Sequence, residues 1–542
     1  MSKQMKKRLI YILITVVASS VHALAQNKIH STVSVEKNYE GEVLKASKSN
    51  IHLPVADSLF NFKLKFDYPT FYRPYKDIYE FSPVLSADFN FPGKVVYPKF
   101  YAELMLAYPW NPYAELLFSP SFGKGSSMDI HLKHNSLWCD DISIGNRMTN
   151  DFSLGYTYKW KKGVISAGVM LSDGAYKLKS AHGYSWMNAY VNGRSSNIDK
   201  DAFYYDFSVA YKGLHGRNEG MFDYSMKSLT EHGLSMNLSF GATLKEFHRL
   251  YITIEDETIF SSILTSSAMM GYLSLSPIYN LSLGRWYLKV GCAFSVPYSA
   301  DAERLPFKKL QIFPKADLSF EAVKDMLWVS ASVQGQSRMH SFYQMTSANP
   351  YLDNSVAAMN TLSAEVTPVD ASLKLRGVLA ERFSYSVYAG AAQRINILSF
   401  EHDGTLQVPL LADSWGIYTG VFASWNSKSL YAWADARYNY FSNDAILAVP
   451  PVDVRAGIEY NIRKRVFFAA DLCYHSPSKM VDNGVTAALE GFVNLGLKIS
   501  YSINPDMTVY VKGTNLLNDK IYYFGGIREP GVSVAAGIYF NF

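Results

Sequence analysis

Cysteine is scarce in this sequence: Cys139, Cys292 and Cys473 are all it has in 542 residues. Three widely spaced cysteines, odd in number, imply no disulfide framework, and they read as incidental. Long apolar runs are equally rare. Beyond the first 25 residues no stretch of 18 or more apolar residues occurs, which excludes a bundle of membrane-crossing helices. A surplus of one charge is missing as well. Lys+Arg number 52 and Asp+Glu 47, but Lys3, Lys6, Lys7 and Arg8 crowd the N-terminus, leaving 48 against 47 after it. Nothing remains to draw the chain onto nucleic acid, so no nucleic-acid partner is expected.

What is abundant is aromatic: 39 Tyr and 32 Phe, with 15% of all residues Phe, Trp or Tyr. The N-terminal 1–25 reads as a signal peptide. Its basic start is followed by a largely apolar run over 9–21 and by Ala23-Leu24-Ala25, an A-x-A site that places cleavage near Ala25. The mature chain is then a leader, 26–96, followed by a patterned region, 97–542.

The pattern has period two. In "PVDVRAGIEYNI", Val452, Val454, Ala456, Ile458, Tyr460 and Ile462 alternate with Asp453, Arg455, Gly457, Glu459 and Asn461. The segments on either side do the same. Leu430, Ala432, Ala434, Ala436, Tyr438 and Tyr440 oppose Tyr431, Trp433, Asp435, Arg437 and Asn439. Val466, Phe468, Ala470, Leu472 and Tyr474 oppose Phe467, Ala469, Asp471, Cys473 and His475. Runs of about ten residues, apolar on one face and charged on the other, suit strands with lipid outside and water inside. Strands of soluble sandwiches are usually shorter.

Connections point the same way. Tight polar turns recur at Lys161-Lys162-Gly163, Val323-Lys324-Asp325, Glu381-Arg382, Asn426-Ser427-Lys428, Arg463-Lys464 and Asn504-Pro505-Asp506. Between them lie long connections, read at 174–200, 339–360 and 476–488. The fold class is therefore all-β: a large transmembrane antiparallel β-barrel of about 22 strands (18–22), with short periplasmic turns and long extracellular loops. The strand signal is weakest over 219–226. The chain ends "SVAAGIYFNF", with Val534, Ala536, Ile538, Phe540 and Phe542 on one face, so alternation runs to the last residue. Its last strand resembles the C-terminal signal read by the barrel-assembly machinery, with Gly537, Phe540 and Phe542 as its residues.

"VKGTNLLNDKIYYFGG" resembles the penultimate hairpin of TonB-dependent receptors, through Asn515, Leu516, Asp519, Lys520 and Tyr522. At the other end, "VEKNYEGEVLKASKSNIHLPV", "LFNFKLKFDYPTF", "YAELMLAYPWNPYAELLFS" and "HLKHNS" are similar to receptor-like barrels of Bacteroidetes. The resemblance implies the outer membrane of a Gram-negative cell, with lipid and the assembly machinery as partners and a periplasmic protein or lipoprotein as a further one. It departs from the family at the N-terminus, where only the leader precedes the first strand and neither a TonB box nor a plug is recognised. The expectation is a plug-less, porin-like barrel giving passive or partner-gated solute transport. The alternative is a structural or assembly component of an outer-membrane complex with a closed lumen. A barrel of this bore needs a filler. The leader, an inward-folded loop such as 339–360, and another protein are the candidates, with the leader favoured.

Chemistry is sparse. Asp435, Arg437, Asp453, Arg455, Glu459 and Asp471, followed by Glu490, Lys498 and Lys512, are expected to line the lumen as a self-neutralising ladder, a polar path or a docking wall for something inside the barrel. In "HLKHNS" His134 and Ser136 share a strand face, an arrangement found in outer-membrane deacylases, but no acid can be assigned to orient the histidine. His131 and His134 face opposite ways. "GKGSS" lacks the first glycine of a P-loop. Trp186 and Tyr190 read as loop aromatics with a possible sugar-stacking role. No enzyme activity, cofactor or metal is expected.

Overall fold

Alternation of lipid-facing and inward-facing residues sets the architecture. The computed structural model describes residues 99–542 apart from 124, 142, 179–180, 196–202, 219–226, 245–246, 264–265, 301–308, 353–361, 381, 404–405 and 483. The signal peptide, the leader and the weak strand signal at 219–226 lie outside the described residues. The wall is a closed antiparallel barrel of 22 strands. It begins with Phe100–Tyr108 and closes when that strand pairs with the last one, Ser533–Asn541, from Tyr101 opposite Asn541 to Tyr108 opposite Val534. No helix among the described residues is long and apolar enough to cross a membrane.

The outer face is apolar and stays uncovered by protein. On the strands Leu430–Phe441 and Val452–Ile462, Tyr438, Tyr440, Ile458 and Tyr460 are each more than two-fifths exposed. Such a surface is stable only against lipid. On the last strand Val534 and Phe542 are exposed, whereas Ala535 and Tyr539 are buried inside. Gly537 belongs to the inner row because the Tyr510 ring lies across it. A Cβ there would stand 2.4 Å from the Tyr510 hydroxyl.

At one end, connections of two or three residues recur: 161–162, 284–285, 324–326, 463–465 and 505–506. Arg463 and Lys464 make theirs with positive φ, 49° and 59°, which lets adjacent strands reverse within three residues. The first wall strand starts and the last one finishes on this periplasmic side, where the Lys99 amide donates to the Phe542 carbonyl at 2.7 Å. The other end carries the long connections, 340–363, 442–451, 476–491 and 515–532.

Two expectations about the loops need correction. The region 174–200 is not one long loop. Its core is a wall strand, Ala181–Ser195, paired along its length with Gly163–Lys177. Trp186 and Tyr190 are consequently strand residues, and Trp186 is buried. The 476–488 connection does leave the wall, but as a short hairpin, Ser478–Asp482 with Val485–Leu489.

Candidate functional site

The lumen is occupied at its extracellular half by the protein's own chain. The connection after the strand Leu327–Met339 turns inward and forms a short helix, α1 (Phe342–Ala348). Ser341 caps it, its hydroxyl accepting from the Gln344 amide at 3.1 Å. The first-turn amides of Phe342 and Tyr343 donate to the carboxylate of Glu231 at 2.8 and 2.9 Å, and the Ser261 hydroxyl adds a third bond at 2.7 Å. A carboxylate at a helix N-terminus satisfies amides that have no partner within the helix. Glu231 sits on the wall strand Lys227–Leu244, so the helix is pinned to the barrel itself.

Three residues spaced by two on Ala181–Ser195 grip the same loop. The Trp186 indole donates to the Thr346 hydroxyl at 2.9 Å, and the Tyr184 hydroxyl to the Leu352 carbonyl at 2.9 Å. His182 Nε2 donates to the Pro350 carbonyl at 2.8 Å. Period-two spacing places all three on the inner face. Around them Phe342, Met345, Leu352 and Leu362 join Tyr272, Leu398 and Phe400 in one apolar core inside the barrel. Where the loop leaves the wall, the His340 Nε2–H donates to the Asn396 carbonyl at 2.6 Å, and burial holds this imidazole below the usual histidine range.

The last connection, 515–532, closes over this plug. Tyr351 meets Phe524 edge to face at 6.3 Å. Gln407 ties both loops together, its amide donating to the Tyr351 carbonyl and its side chain to the Gly525 carbonyl. Arg147 holds Glu529 through two bonds of 2.8 and 2.6 Å. The residues of the "TNLLNDK" stretch shape this loop. Asn515 is buried, donates to the carbonyls of Asp519 and Pro530, and accepts from the Asp519 amide. The Asp519 carboxylate accepts from the Val493 amide. That motif therefore builds the cap's shape.

The charges singled out on the late strands form a lattice. Asp435 pairs with Arg437 at 2.6 Å and Asp453 with Arg455 at 2.7 Å along each strand. Across the strands, Asp435 stands opposite Arg455 and Arg437 opposite Asp453. Every charge thus has an opposite neighbour in two directions. Glu459 and Asp471 continue on the same inner rows, and Lys498 lies over the Tyr510 ring at 4.0 Å, opposite Lys512. Glu490 does not belong to this wall. It is exposed, one residue past the hairpin strand Val485–Leu489. Gly537, Phe540 and Phe542 lie at the periplasmic end of the closing strand, where the Phe540 and Phe542 rings stack at 6.4 Å.

His134 and Ser136 do meet, at 3.2 Å, and Asn150 takes the other imidazole nitrogen at 2.7 Å. Ser136 is 2% exposed and the third member is a neutral amide. The trio ties neighbouring strands near the rim. Sequence reading missed Glu103 and Glu115, which lie inside near the periplasmic mouth. Tyr101 and Tyr510 donate to Glu103, and Tyr113 donates to Glu115, each at 2.5 Å, while His131 bonds Glu115 at 2.7 Å. The repeat Tyr-Ala-Glu-Leu at 101–104 and 113–116 was the available signal.

This architecture is shared with known barrels. The copper transporter OprC superposes with a TM-score of 0.63 at 12% identity, over 82% of this chain and 80% of its own. The FrpB iron transporter from Neisseria meningitidis gives 0.64 at 9% identity, over 83% and 82%. The siderophore receptor PirA from Acinetobacter baumannii gives 0.63 at 10%, over 83% and 81%. The chain has the fold of TonB-dependent receptor barrels. At such identities the likeness is one of fold alone. No family model and no curated protein sequence matches the chain.

Proposed function

We propose that this protein is an outer-membrane conduit, closed at rest by its own inward-folded loop, through which solutes pass when a partner displaces that loop. The observation that carries this reading is the burial of α1, whose Phe342, Met345 and Thr346 are wholly enclosed inside the barrel. A core of this kind costs too much to open spontaneously for simple passive passage, so the porin-like reading gives way to the partner-gated one. Export by the signal peptide, residence in a Gram-negative outer membrane and a lipoprotein or periplasmic partner belong to the same proposal. Metals or siderophores, the cargo named for the similar barrels, are the first solutes to try.

Replacing 344–352 by a Gly-Ser linker tests it in planar bilayers and in vancomycin sensitivity. Wild-type protein should be silent and the variant should conduct. Steady large conductance from the wild type would sink the closed-lumen reading. The scaffold alternative draws support from the clasp of Arg147 on Glu529, which locks a second loop over the first. A variant that stays silent would favour it, or a second filler. The leader, with Lys63, Lys65 and Arg73, is proposed for that role against Asp453, Glu459 and Asp471, and deleting 27–73 in the loop variant should then raise the current further.

The closing strand is proposed as the signal read by the assembly machinery, because its exposed row ends on Phe540 and Phe542. Phe542→Asp should lower the heat-modifiable, folded fraction several-fold more than an exposed loop change such as Glu490→Ala. Equal folded fractions for the two variants would remove that role.

A further inference from the structure

Three side chains able to ligate a metal converge on the inner wall: Asp453, Cys473 and His475. Asp453 stands directly opposite His475 in the pairing of Val452–Ile462 with Val466–His475, and Cys473 is two residues back on the same face. Their ligand atoms all lie within 4.8 Å of one another. We propose that these residues form a site for a borderline divalent transition metal, with Zn2+ the best match.

The donor set selects the metal. One thiolate, one imidazole and one carboxylate are a mixed N, S, O set that suits Zn2+ and excludes Ca2+ and Mg2+, which take oxygen ligands. Three protein ligands leave a fourth position of a tetrahedral site open to water or to an incoming ligand. The Asp453 carboxylate is already oriented. Its Oδ2 accepts from Arg455 at 2.7 Å, while Oδ1 faces His475 Nε2 at 3.8 Å. Arg455 would thus act as an outer-shell partner that fixes the carboxylate. On the other flank the imidazole stacks on Phe492 at 4.7 Å and meets Tyr523 edge-on at 5.9 Å. The ring is therefore held on two sides, with Nε2 turned towards Asp453.

Charge constrains the chemistry further. Arg455 and Arg437 both lie close to Asp453, so the site does not attract cations by field alone. Binding must deprotonate Cys473, the thiol proton passing to solvent. Thiolate and carboxylate then offset the divalent ion, and Arg455 keeps its hydrogen bond to Asp453 Oδ2 while the site gains one net positive charge. The adjacent Cys473-Tyr474-His475, with its i, i+2 spacing on a strand, carried this signal in the sequence, where the cysteines were read as incidental.

Co2+ added to the full chain folded in detergent provides the probe. A thiolate-to-cobalt charge-transfer band in the near ultraviolet should rise to saturation at one metal per barrel, and Zn2+ should displace it. Cys473→Ser should abolish the band, His475→Gln should weaken affinity at least tenfold, and Cys139→Ser/Cys292→Ser should leave both unchanged. Heat-modifiable gel migration reports whether each variant is folded. No band from folded wild type, an undiminished band in folded Cys473→Ser, or unchanged affinity in folded His475→Gln overturns the site. The result is independent of whether the lumen is gated.

Discussion

Ala456→Arg is expected to cost about 2–4 kcal/mol of barrel stability, the charge of an arginine placed on lipid near mid-membrane. Ala456 lies in the middle of Val452–Ile462, between Ala434 and Leu472 on the neighbouring strands, in the row that also carries the exposed Ile458. An arginine there has no partner and a long way to reach water. The contrast is Glu459→Leu on the opposite row of the same strand. Its surroundings are polar, and its loss leaves the Asp453–Arg455 pair intact, so about 1 kcal/mol or less is expected. Folding into vesicles followed by urea titration measures both. A ranking with Glu459→Leu the more damaging would invert the two faces.

Glu231→Ala should have the largest effect on the closed state. Its carboxylate takes two amides of α1 and the Ser261 hydroxyl, and it is 1% exposed. Bonds to a charged group contribute about 1.5–3 kcal/mol each, so losing the pair of helix amides costs roughly 3–6 kcal/mol. At the lower figure the population of the released loop rises about a hundredfold. The wall itself loses no backbone pairing, because only a side chain is cut. The variant should remain heat-modifiable, gain proteolytic cleavage within 340–352 and admit current in brief steps. Glu231→Gln, which keeps one acceptor, should fall between. If Glu231→Ala is as resistant to protease as wild type, the carboxylate is not the fastening of the loop.

How much of this was readable beforehand depended on what each face touches. Around Leu430–Phe441 and Val452–Ile462 the outside is lipid and the inside carries charge, so the alternation is plain and both strands were found. Ala181–Ser195 was missed for the opposite reason. Its inner face meets the plug rather than water, so it carries Tyr184 and Trp186, while Gly183 and Ser185 face outward. Apolar and polar sides are exchanged there, and the strand reads as an irregular loop. The latch was equally hidden. A single Glu231 among polar neighbours has no spacing that announces a helix 111 positions later. The loop 339–360 was recognised as a possible filler, but length alone does not distinguish a loop folded inward from one in water.

The seam between first and last strands also sets the order of events in time. Glu103 faces Tyr539 across it, although they stand 436 positions apart in the chain. Bringing the ends of so long a flexible segment together costs about 3 kcal/mol more than closing a ten-residue hairpin. Every other neighbouring pair of wall strands is joined by a connection of at most 24 residues, so each can zip onto its predecessor as it emerges. The ring alone must wait for the final residues. Until then the growing sheet carries two unpaired edges, each a template for the wrong strand. The register from Tyr101–Asn541 to Tyr108–Val534 is therefore a late, non-local event, and the waiting time it imposes is the stage at which a chain of this design is most exposed to misassembly.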